Sequence, residues 1–147
     1  MKTLFLTFVL LFTFSGCSDD ENAATPFEPV TITPVLIGKG FNSSNIAPGN
    51  LVISNQADWD AFLISMGYYS SFFINTPVDF SLYEVIAIVD SMRPDTGHSV
   101  NIDSVTENEN DITVDFSVLN SGDGFTVMGQ PYHIVKIPRS PKPVIFQ

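Results

Sequence analysis

The sequence has 147 residues, of which 16 are Asp or Glu and only 6 are Lys or Arg, so the formal net charge at pH 7 is -10. A chain this acidic repels the phosphates of nucleic acids and of anionic lipids, so we expect no nucleic acid partner. The single Cys and the two His residues allow no internal disulfide and form no cluster with the spacing of a metal site, so we expect neither a metal nor another cofactor.

The first residues have the order of a secretory signal. Lys2 precedes an apolar run over residues 4–14, and the small residues Ser15 and Gly16 follow it. This run is too short for a membrane-spanning helix, which needs about 20 apolar residues. We therefore predict a signal peptide over residues 1–16 rather than a permanent membrane span.

Cys17, the only cysteine, follows this run directly. Residues 14–17, Phe-Ser-Gly-Cys, resemble the lipobox of bacterial lipoproteins, in which the Cys becomes the first residue of the mature chain and carries lipid. The alternative is an ordinary signal peptide with an incidental cysteine. Two or more acyl chains give durable anchoring, so lipid on Cys17 implies that the chain is held on a membrane through this anchor alone.

We predict an acidic tether over residues 17–29. Residues 18–21, Ser-Asp-Asp-Glu, resemble the lipoprotein export signal of Bacteroidetes-type bacteria, which marks proteins carried to the outer face of the outer membrane. The alternative is a solvated acidic tether with no export role. Residues 22–29 are polar and contain two prolines, which predicts an extended or disordered segment. The resemblance implies a lipoprotein of the outer membrane that is exposed at the cell surface.

Residues 30–147 have the pattern of a single globular domain. Short strands are predicted at residues 30–33 and 51–53, with a loop rich in Gly, Asn, Ser and Pro over residues 38–50. A helix is predicted next, because Asn55 is a suitable N-cap and apolar residues with helical spacing follow it until Gly67. These apolar residues are Trp59, Phe62, Leu63 and Met66.

The second half of the domain is predicted to be strands. Residues 84–90 contain the run Val-Ile-Ala-Ile-Val, which is apolar on both faces and indicates a central strand, and the helix is expected to cover one of those faces. Residues 100–105 alternate except for one extra residue near Asp103 and Ser104, which predicts a bulge. Residues 112–118 alternate cleanly, and residues 132–137 form another strand.

The prolines at positions 138, 141 and 143 end the last of these strands and confine the residues that follow to a sheet edge. We predict an α+β fold, a mostly antiparallel sheet of about five to seven strands with one amphipathic helix packed on it.

Residues 95–97, Asp-Thr-Gly, match the tripeptide of aspartic proteases. That mechanism needs two carboxylates that share one proton, so a single copy requires a symmetric dimer. In that family an apolar strand precedes the Asp, whereas Arg93 and Pro94 stand there in this chain. We interpret the segment as a turn, in which Pro94 fixes its own φ and Gly97 allows a positive φ. No G-x-S-x-G motif of serine hydrolases occurs, and we predict that the protein is not an enzyme.

The two histidines lie on predicted strands. His133 shares a strand face with Val135 and Ile137, so we expect it to bond a backbone group at the margin of the core rather than to act as a catalyst. His98 begins a strand just after the turn, and the sequence gives it no evident partner.

An aromatic cluster follows the helix. Such a cluster can stack on sugar rings, although it more often packs as a loop under a helix. Its residues are Tyr68, Tyr69, Phe72 and Phe73.

Four segments, taken in chain order, resemble the PrcB-type protease complex subunit domain. They are residues 57–59, 78–80, 92–102 and 130–138, and the most specific parts are the Arg-Pro-x-x-Gly turn and the Pro-Tyr-x-x-Val-Lys strand. The similarity covers about residues 51–138. In that family a second glycine and an aromatic often follow the turn, whereas here the doubled glycine is absent and His98 stands near the place of the aromatic.

This resemblance implies a non-catalytic lipoprotein that binds a surface protease, or another surface protein, and supports its assembly or activity. We predict that the partner contacts the turn at residues 92–98, the loop at residues 120–129 and the basic C-terminal end, and that these three segments share one rim. The predicted partner-binding residues are Arg93, Pro94, Asp95, Gly97, His98, Tyr132 and Lys136.

Two alternatives remain open. The order of the turn, the glycine-rich loop at residues 121–124 and the basic Pro-rich end is similar to the three loops of chagasin-type cysteine-protease inhibitors, although the predicted helix does not fit that all-β sandwich. A weak glycan-binding module, with the aromatic cluster as its site, is the second alternative.

Overall fold

The computed structural model describes residues 26–43, 46–67, 77–122 and 124–147. The predicted signal peptide, Cys17 and the aromatic cluster at residues 68–73 lie outside the described residues. Residues 26–29, the end of the predicted tether, are exposed and belong to no strand or helix. In the described ranges, every helix is too short or too polar to cross a membrane.

Eight strands and one helix make up the described part of the chain, and the strands form two sheets. The strand order is β1-β5-β6-β8 in the first sheet and β2-β7-β4-β3 in the second. Only the β6–β8 pair is parallel, and the other pairs are antiparallel. The predicted α+β class with an excess of strand is therefore confirmed. The elements are β1 Val30–Thr31, β2 Val35–Asn42, β3 Gly49–Ile53, α1 Gln56–Ser65, β4 Tyr83–Val89, β5 His98–Glu107, β6 Ile112–Asn120, β7 Gln130–Pro138 and β8 Val144–Phe146.

Strand β2 occupies residues for which the sequence pattern predicts mainly a loop. Its glycines lower the intrinsic strand preference, but its pairing along β7 supplies backbone hydrogen bonds that local propensity does not reveal. The hydroxyl of Tyr132 lies 3.2 Å from where a Cβ on Gly40 would stand. Gly40 therefore leaves room for a buried tyrosine, and its presence reflects packing rather than a turn.

Helix α1 packs as the sequence predicts. The side chain of Asn55 accepts a hydrogen bond from the backbone N–H of Asp58 at 2.9 Å, which confirms the N-cap. Trp59, Phe62 and Met66 are buried in one hydrophobic cluster with residues of β4 and β7. The helix therefore covers one face of the central strand.

The other face of β4 and β7 lies against the first sheet. This second core is purely aliphatic among its fully buried members, and it makes β4 and β7 buried on both sides, as predicted for β4. Its buried residues are Ile86, Ile88, Val100, Val105, Ile112, Val114, Val135 and Ile137.

Two further expectations concern the first sheet. The pairing of β5 with β6 shifts register between Ile102 and Ser104, which confirms the predicted bulge. The segment after the prolines forms β8, which lies at the edge of this sheet beside β6 and so confirms the predicted edge position.

His133 joins the two sheets. The backbone N–H of Ile102, on β5, donates to Nδ1 of His133, on β7, at 2.8 Å. This bond confirms the prediction that His133 serves a backbone group. Burial, and secondarily the charge of Lys39, lower the pKa of His133 from its ordinary value. The neutral ring is therefore the form that the fold requires.

We expect the link through His133 to weaken in acid. Because the folded-state pKa lies below the ordinary value of 6.5, the stabilisation is fully present above that value and is lost as pH falls through the folded-state pKa. His133→Asn places an acceptor oxygen near the same position but does not titrate. Urea unfolding at about pH 7 and pH 5 is expected to show a loss of roughly 1 kcal/mol in the wild type beyond that in the variant. The same pH dependence in both proteins contradicts this role.

Candidate functional site

The turn after β4 and the loop before β7 are joined by backbone hydrogen bonds. Arg93 and Gly129 form an antiparallel bridge, with N···O distances of 2.7 and 3.1 Å. Thr96 donates its N–H to the carbonyl of Phe125 at 3.1 Å, and its hydroxyl accepts from the N–H of Phe125 at 3.0 Å. We call residues 93–98 together with residues 121–122 and 124–129 the loop rim.

Two glycines allow this contact. A Cβ on Gly124 would lie 2.2 Å from the backbone nitrogen of Gly97, which no side chain tolerates, and the N–H of Ser121 donates to the carbonyl of Gly97 at 2.9 Å. The expectation that Gly97 adopts a positive φ is wrong, since the positive φ in this region belongs to Gly122 at 74°. At Gly97 a Cβ would stand 3.0 Å from Oδ1 of Asp95 and 3.3 Å from the backbone nitrogen of Gly124, so the site is tight, but the strict requirement for glycine lies at Gly124.

Asp95 shapes the turn. Its Oδ1 accepts the N–H of Gly97 at 2.9 Å and lies 3.1 Å from Nδ1 of His98. The interpretation of this segment as a turn is confirmed, and His98 has the partner that the sequence did not reveal. The Asp-x-x-His spacing was the available signal. The hydroxyl of Ser121 donates to the carbonyl of Gly97 at 3.1 Å, so it is directed to the backbone rather than to His98.

Arg93 is held by Asp90, the residue that follows β4. Its Nε and Nη2 donate to the two carboxylate oxygens of Asp90 at 2.8 and 3.0 Å. Burial raises the pKa of Asp90, but hydrogen bonds from Arg93 and Ser91 outweigh it and hold that pKa below its ordinary value. The guanidinium is thus a brace for the start of the turn.

Tyr132 and Lys136 do not belong to the loop rim. Tyr132 is only 8% exposed and packs in the core under the helix. Lys136 lies four residues further along β7, about 13 Å away at the rise of a strand, with its ammonium 4.8 Å from the ring centroid of Tyr83. Of the predicted partner-binding residues, the structure brings together only those between positions 93 and 98.

The basic C-terminal end lies at the opposite end of the sandwich. The N–H of Arg139 donates to the carbonyl of Leu82, just before β4, and Lys142 forms a 2.8 Å ion pair with Glu107, at the end of β5. The loop rim instead follows β4 and precedes β5. The expectation that three segments share one rim is therefore wrong, because the length of β7, about 25 Å, separates two of them from the third.

A depression with a volume of about 510 Å³ opens at this basic end, between Ser81, Leu82, Arg139, Ser140 and Pro141. Glu84 lies near it and is only 5% exposed, and its Oε1 makes no hydrogen bond with the described residues. Burial raises the pKa of Glu84, against the opposing effects of the Ser140 N–H and the charge of Arg139. The sequence pattern indicates only that Glu84 begins a buried strand.

The loop rim is apolar at its surface. Phe125, Val127 and Met128 are 83%, 52% and 66% exposed. At the end of β6, Val118 and Leu119 are also largely exposed. The available signal in the sequence was the Phe-Thr-Val-Met run between the glycines at positions 124 and 129, a stretch whose composition otherwise predicts only a loop. Exposed apolar residues of this kind mark contact surfaces more often than reaction centres.

No protein-family model, no curated protein and no solved structure matches the chain. The resemblance to the PrcB-type domain therefore stays a prediction from the sequence motifs. Among the described residues, no group of three or more His, Cys, Asp or Glu side chains is placed to hold a metal ion.

The close contact at Gly124 predicts that adding one methyl group at this position weakens the contact between the turn and the loop. Gly124→Ala is expected to separate the loop from the turn and to speed amide hydrogen exchange at Thr96, Ser121 and Phe125 by at least about tenfold. Gly49→Ala is the matched control, since a Cβ there meets nothing within 4 Å. Unchanged exchange at these three amides in the Gly124 variant would show that the two backbones do not meet.

The buried carboxyl predicts a stabilising substitution. Because the folded-state pKa of Glu84 is raised, its favourable contribution is present below the ordinary value of 4.5 and is lost as pH rises. Glu84→Gln is therefore expected to increase the free energy of unfolding by roughly 1 kcal/mol at about pH 7 and to give no gain near pH 4.

Glu107→Gln is the control for this experiment, because it removes a carboxylate that is paired with Lys142 and is expected to give no gain. Urea unfolding measures both variants. An equal gain from Glu84→Gln at the two pH values, or a loss at neutral pH, contradicts the prediction.

Proposed function

We propose that this chain is a non-catalytic binding module, anchored by lipid on Cys17 at the surface of the outer membrane, and that its loop rim binds a protein partner. The resemblance to the PrcB-type domain makes a surface protease the partner class, with the chain supporting its assembly or activity. The observation that carries the proposal is the position of Phe125. Phe125 is 83% exposed as a residue, while its backbone N–H and C=O are both hydrogen-bonded to Thr96.

A ring held in this way is suited to binding. A mobile loop can turn an aromatic side chain inward to escape water, but the bonds to Thr96 fix the backbone on both sides of the Cα of Phe125. Met128 and Val127 extend the apolar surface within the same loop. Exposed side chains on a backbone that is already fixed lose little conformational entropy when a partner covers them. More of the contact energy therefore appears as binding affinity.

The attachment of the tether supports a partner outside the membrane. Phe27 lies beneath the ammonium of Lys142, 4.6 Å from its ring centroid, and β1 pairs with residues 106 and 107 at the end of β5. The tether therefore joins the domain at the basic end. The loop rim thus lies at the end of the domain opposite to the point where the tether enters it.

The bonds within the turn support a binding role rather than a catalytic one. The Oδ1 atom of Asp95 is engaged by Gly97 and His98, and Arg93 is engaged by Asp90. These polar groups shape and brace the turn. An aspartic protease instead needs two such carboxylates facing each other across a dimer axis.

The inhibitor alternative receives less support. The similarity to chagasin-type inhibitors needs three loops, and the third of them, the basic end, lies at the opposite end of the sandwich from the other two. The glycan-binding alternative depends on Tyr68, Tyr69, Phe72 and Phe73, which lie outside the described residues, so it stays an untested prediction.

Chemical cross-linking of the full-length lipoprotein on intact cells tests the proposal. We expect the wild type to yield one main cross-linked protein, and Phe125→Ser/Met128→Ser to reduce that yield by at least about tenfold. Ile64→Ser is the matched control, because Ile64 is an equally apolar residue, 57% exposed on the helix.

Three results count against the proposal. Equal yields from the rim variant and the wild type exclude the loop rim as the binding surface. Stoichiometric inhibition of a cysteine protease by the purified protein favours the inhibitor alternative. If the purified protein cleaves a peptide and the Asp95→Asn variant does not, the result favours the aspartic-protease interpretation.

A further inference from the structure

Strand β6 has one covered edge and one edge that is covered only in part. Its pairing with β5 runs along its whole length, from residue 112 to residue 120. On the other side, β8 pairs with residues 112–114 alone. The last residues of β6 therefore extend past the end of β8 and towards residue 121 of the loop rim.

The hydrogen bonds to Pro143 and Gln147, the residues on either side of β8, show which residues of β6 direct their backbone groups to this edge. Ile112 donates its N–H to the carbonyl of Pro143 at 2.9 Å, and Phe116 donates to the carbonyl of Gln147 at 3.0 Å. The carbonyl of Val114 accepts from the N–H of Gln147 at 3.0 Å. Even-numbered residues thus direct their backbone groups away from β5.

The same alternation directs the N–H and C=O groups of Val118 and Asn120 outward. Within the ranges that the structure describes, no backbone group pairs with them on that side. The outward backbone groups of Val118 and Asn120 thus continue the line of the β6–β8 ladder, but no described strand pairs with them.

This edge lacks the features that usually prevent strand addition. Residues 117–120, beyond the hydrogen bond from Phe116 to Gln147, contain no Pro and no charged residue, whereas β2, an edge of the other sheet, carries Lys39 and a register shift. Val118 and Leu119 point to opposite faces and are 46% and 47% exposed. Apolar side chains therefore flank the unpaired backbone on both faces.

We propose that an extended segment of the protein partner adds to β6 as a strand beside Val118 and Asn120, next to the end of β8. This inference rests on the proposed function and specifies how the partner binds at the loop rim. A polypeptide is the fitting occupant because only a peptide backbone offers both a donor and an acceptor at the two-residue repeat of a strand, about 7 Å.

The charge of this chain indicates the charge of the partner segment. The chain carries a net charge of -10, and Asp115 stands on β6 itself, hydrogen-bonded by Ser104 at 2.6 Å. A partner segment with apolar residues and without acidic ones fits these surroundings, whereas a second copy of the chain brings the same negative charge. The partner segment is thus neutral or basic.

The test covers the unpaired edge of β6 with an extension of β8. Adding Thr-Val-Thr-Val-Thr after Gln147 prolongs β8 alongside residues 117–120, and adding Gly-Ser-Gly-Ser-Gly is the control of equal length. In the first variant we expect slower amide exchange at Val118 and Asn120, by at least about tenfold. The Gly-Ser variant is expected to exchange as the wild type does.

Partner binding is followed by a benzophenone amino acid substituted for Ser117 in the full-length lipoprotein on intact cells. We expect the Thr-Val extension to reduce the photo-cross-linked adduct by at least about tenfold, and the Gly-Ser extension to leave it unchanged. Val118→Pro removes the outward N–H but no bond to β5, and it is expected to reduce the adduct to a similar extent while the exchange of core amides stays the same.

The outcomes separate this inference from the proposed function. If Phe125→Ser/Met128→Ser abolishes the adduct but the Thr-Val extension and Val118→Pro do not, the partner binds the rim by side chains alone and strand addition is overturned. If the wild type gives no protein adduct, the proposed function fails and this inference fails with it. If the purified chain dimerises and Val118→Pro makes it monomeric, the occupant is a second copy, which also overturns the inference.

Discussion

The contact between two backbones at Gly97 and Gly124 determines the shape of the proposed binding end. Because neither residue has a side chain, the turn and the loop approach closely enough for Thr96 to bond both polar groups of Phe125. Segments separated by more than twenty residues in the sequence thus become one surface. The exposed ring of Phe125 follows from this contact, since its backbone is fixed while no described part of the fold covers the side chain.

The two packed sheets support the loop rim and separate it from the opposite, basic end of the domain. Strand β7 begins next to the loop rim, is buried on both faces, and ends at Pro138, next to Arg139 of the basic end. His133 ties it to the opposite sheet through the N–H of Ile102. Since Phe27 and β1 join the domain at the basic end, the tether enters the domain at the end opposite to the proposed binding surface.

The sequence predicted features that depend on near neighbours. The cap at Asn55, the buried face of the helix, the central strand β4 and the bulge near Ser104 each have a local pattern that the structure confirms. The length of β2 was not predictable, because its pairing with β7 offsets two glycines that locally favour a turn. The separation of the basic end from the turn was missed for a similar reason. It follows from which strands pair, and no short stretch of sequence encodes strand pairing.

The proposed binding role depends above all on the free protein already holding Phe125 in its exposed position. Backbone ¹⁵N relaxation of the free domain measures this directly. We expect order parameters for Phe125 and Val127 close to those of β7, about 0.85. Values below about 0.6 at these residues, with β7 rigid, would contradict a preformed binding surface, since the loop would then move independently of the turn.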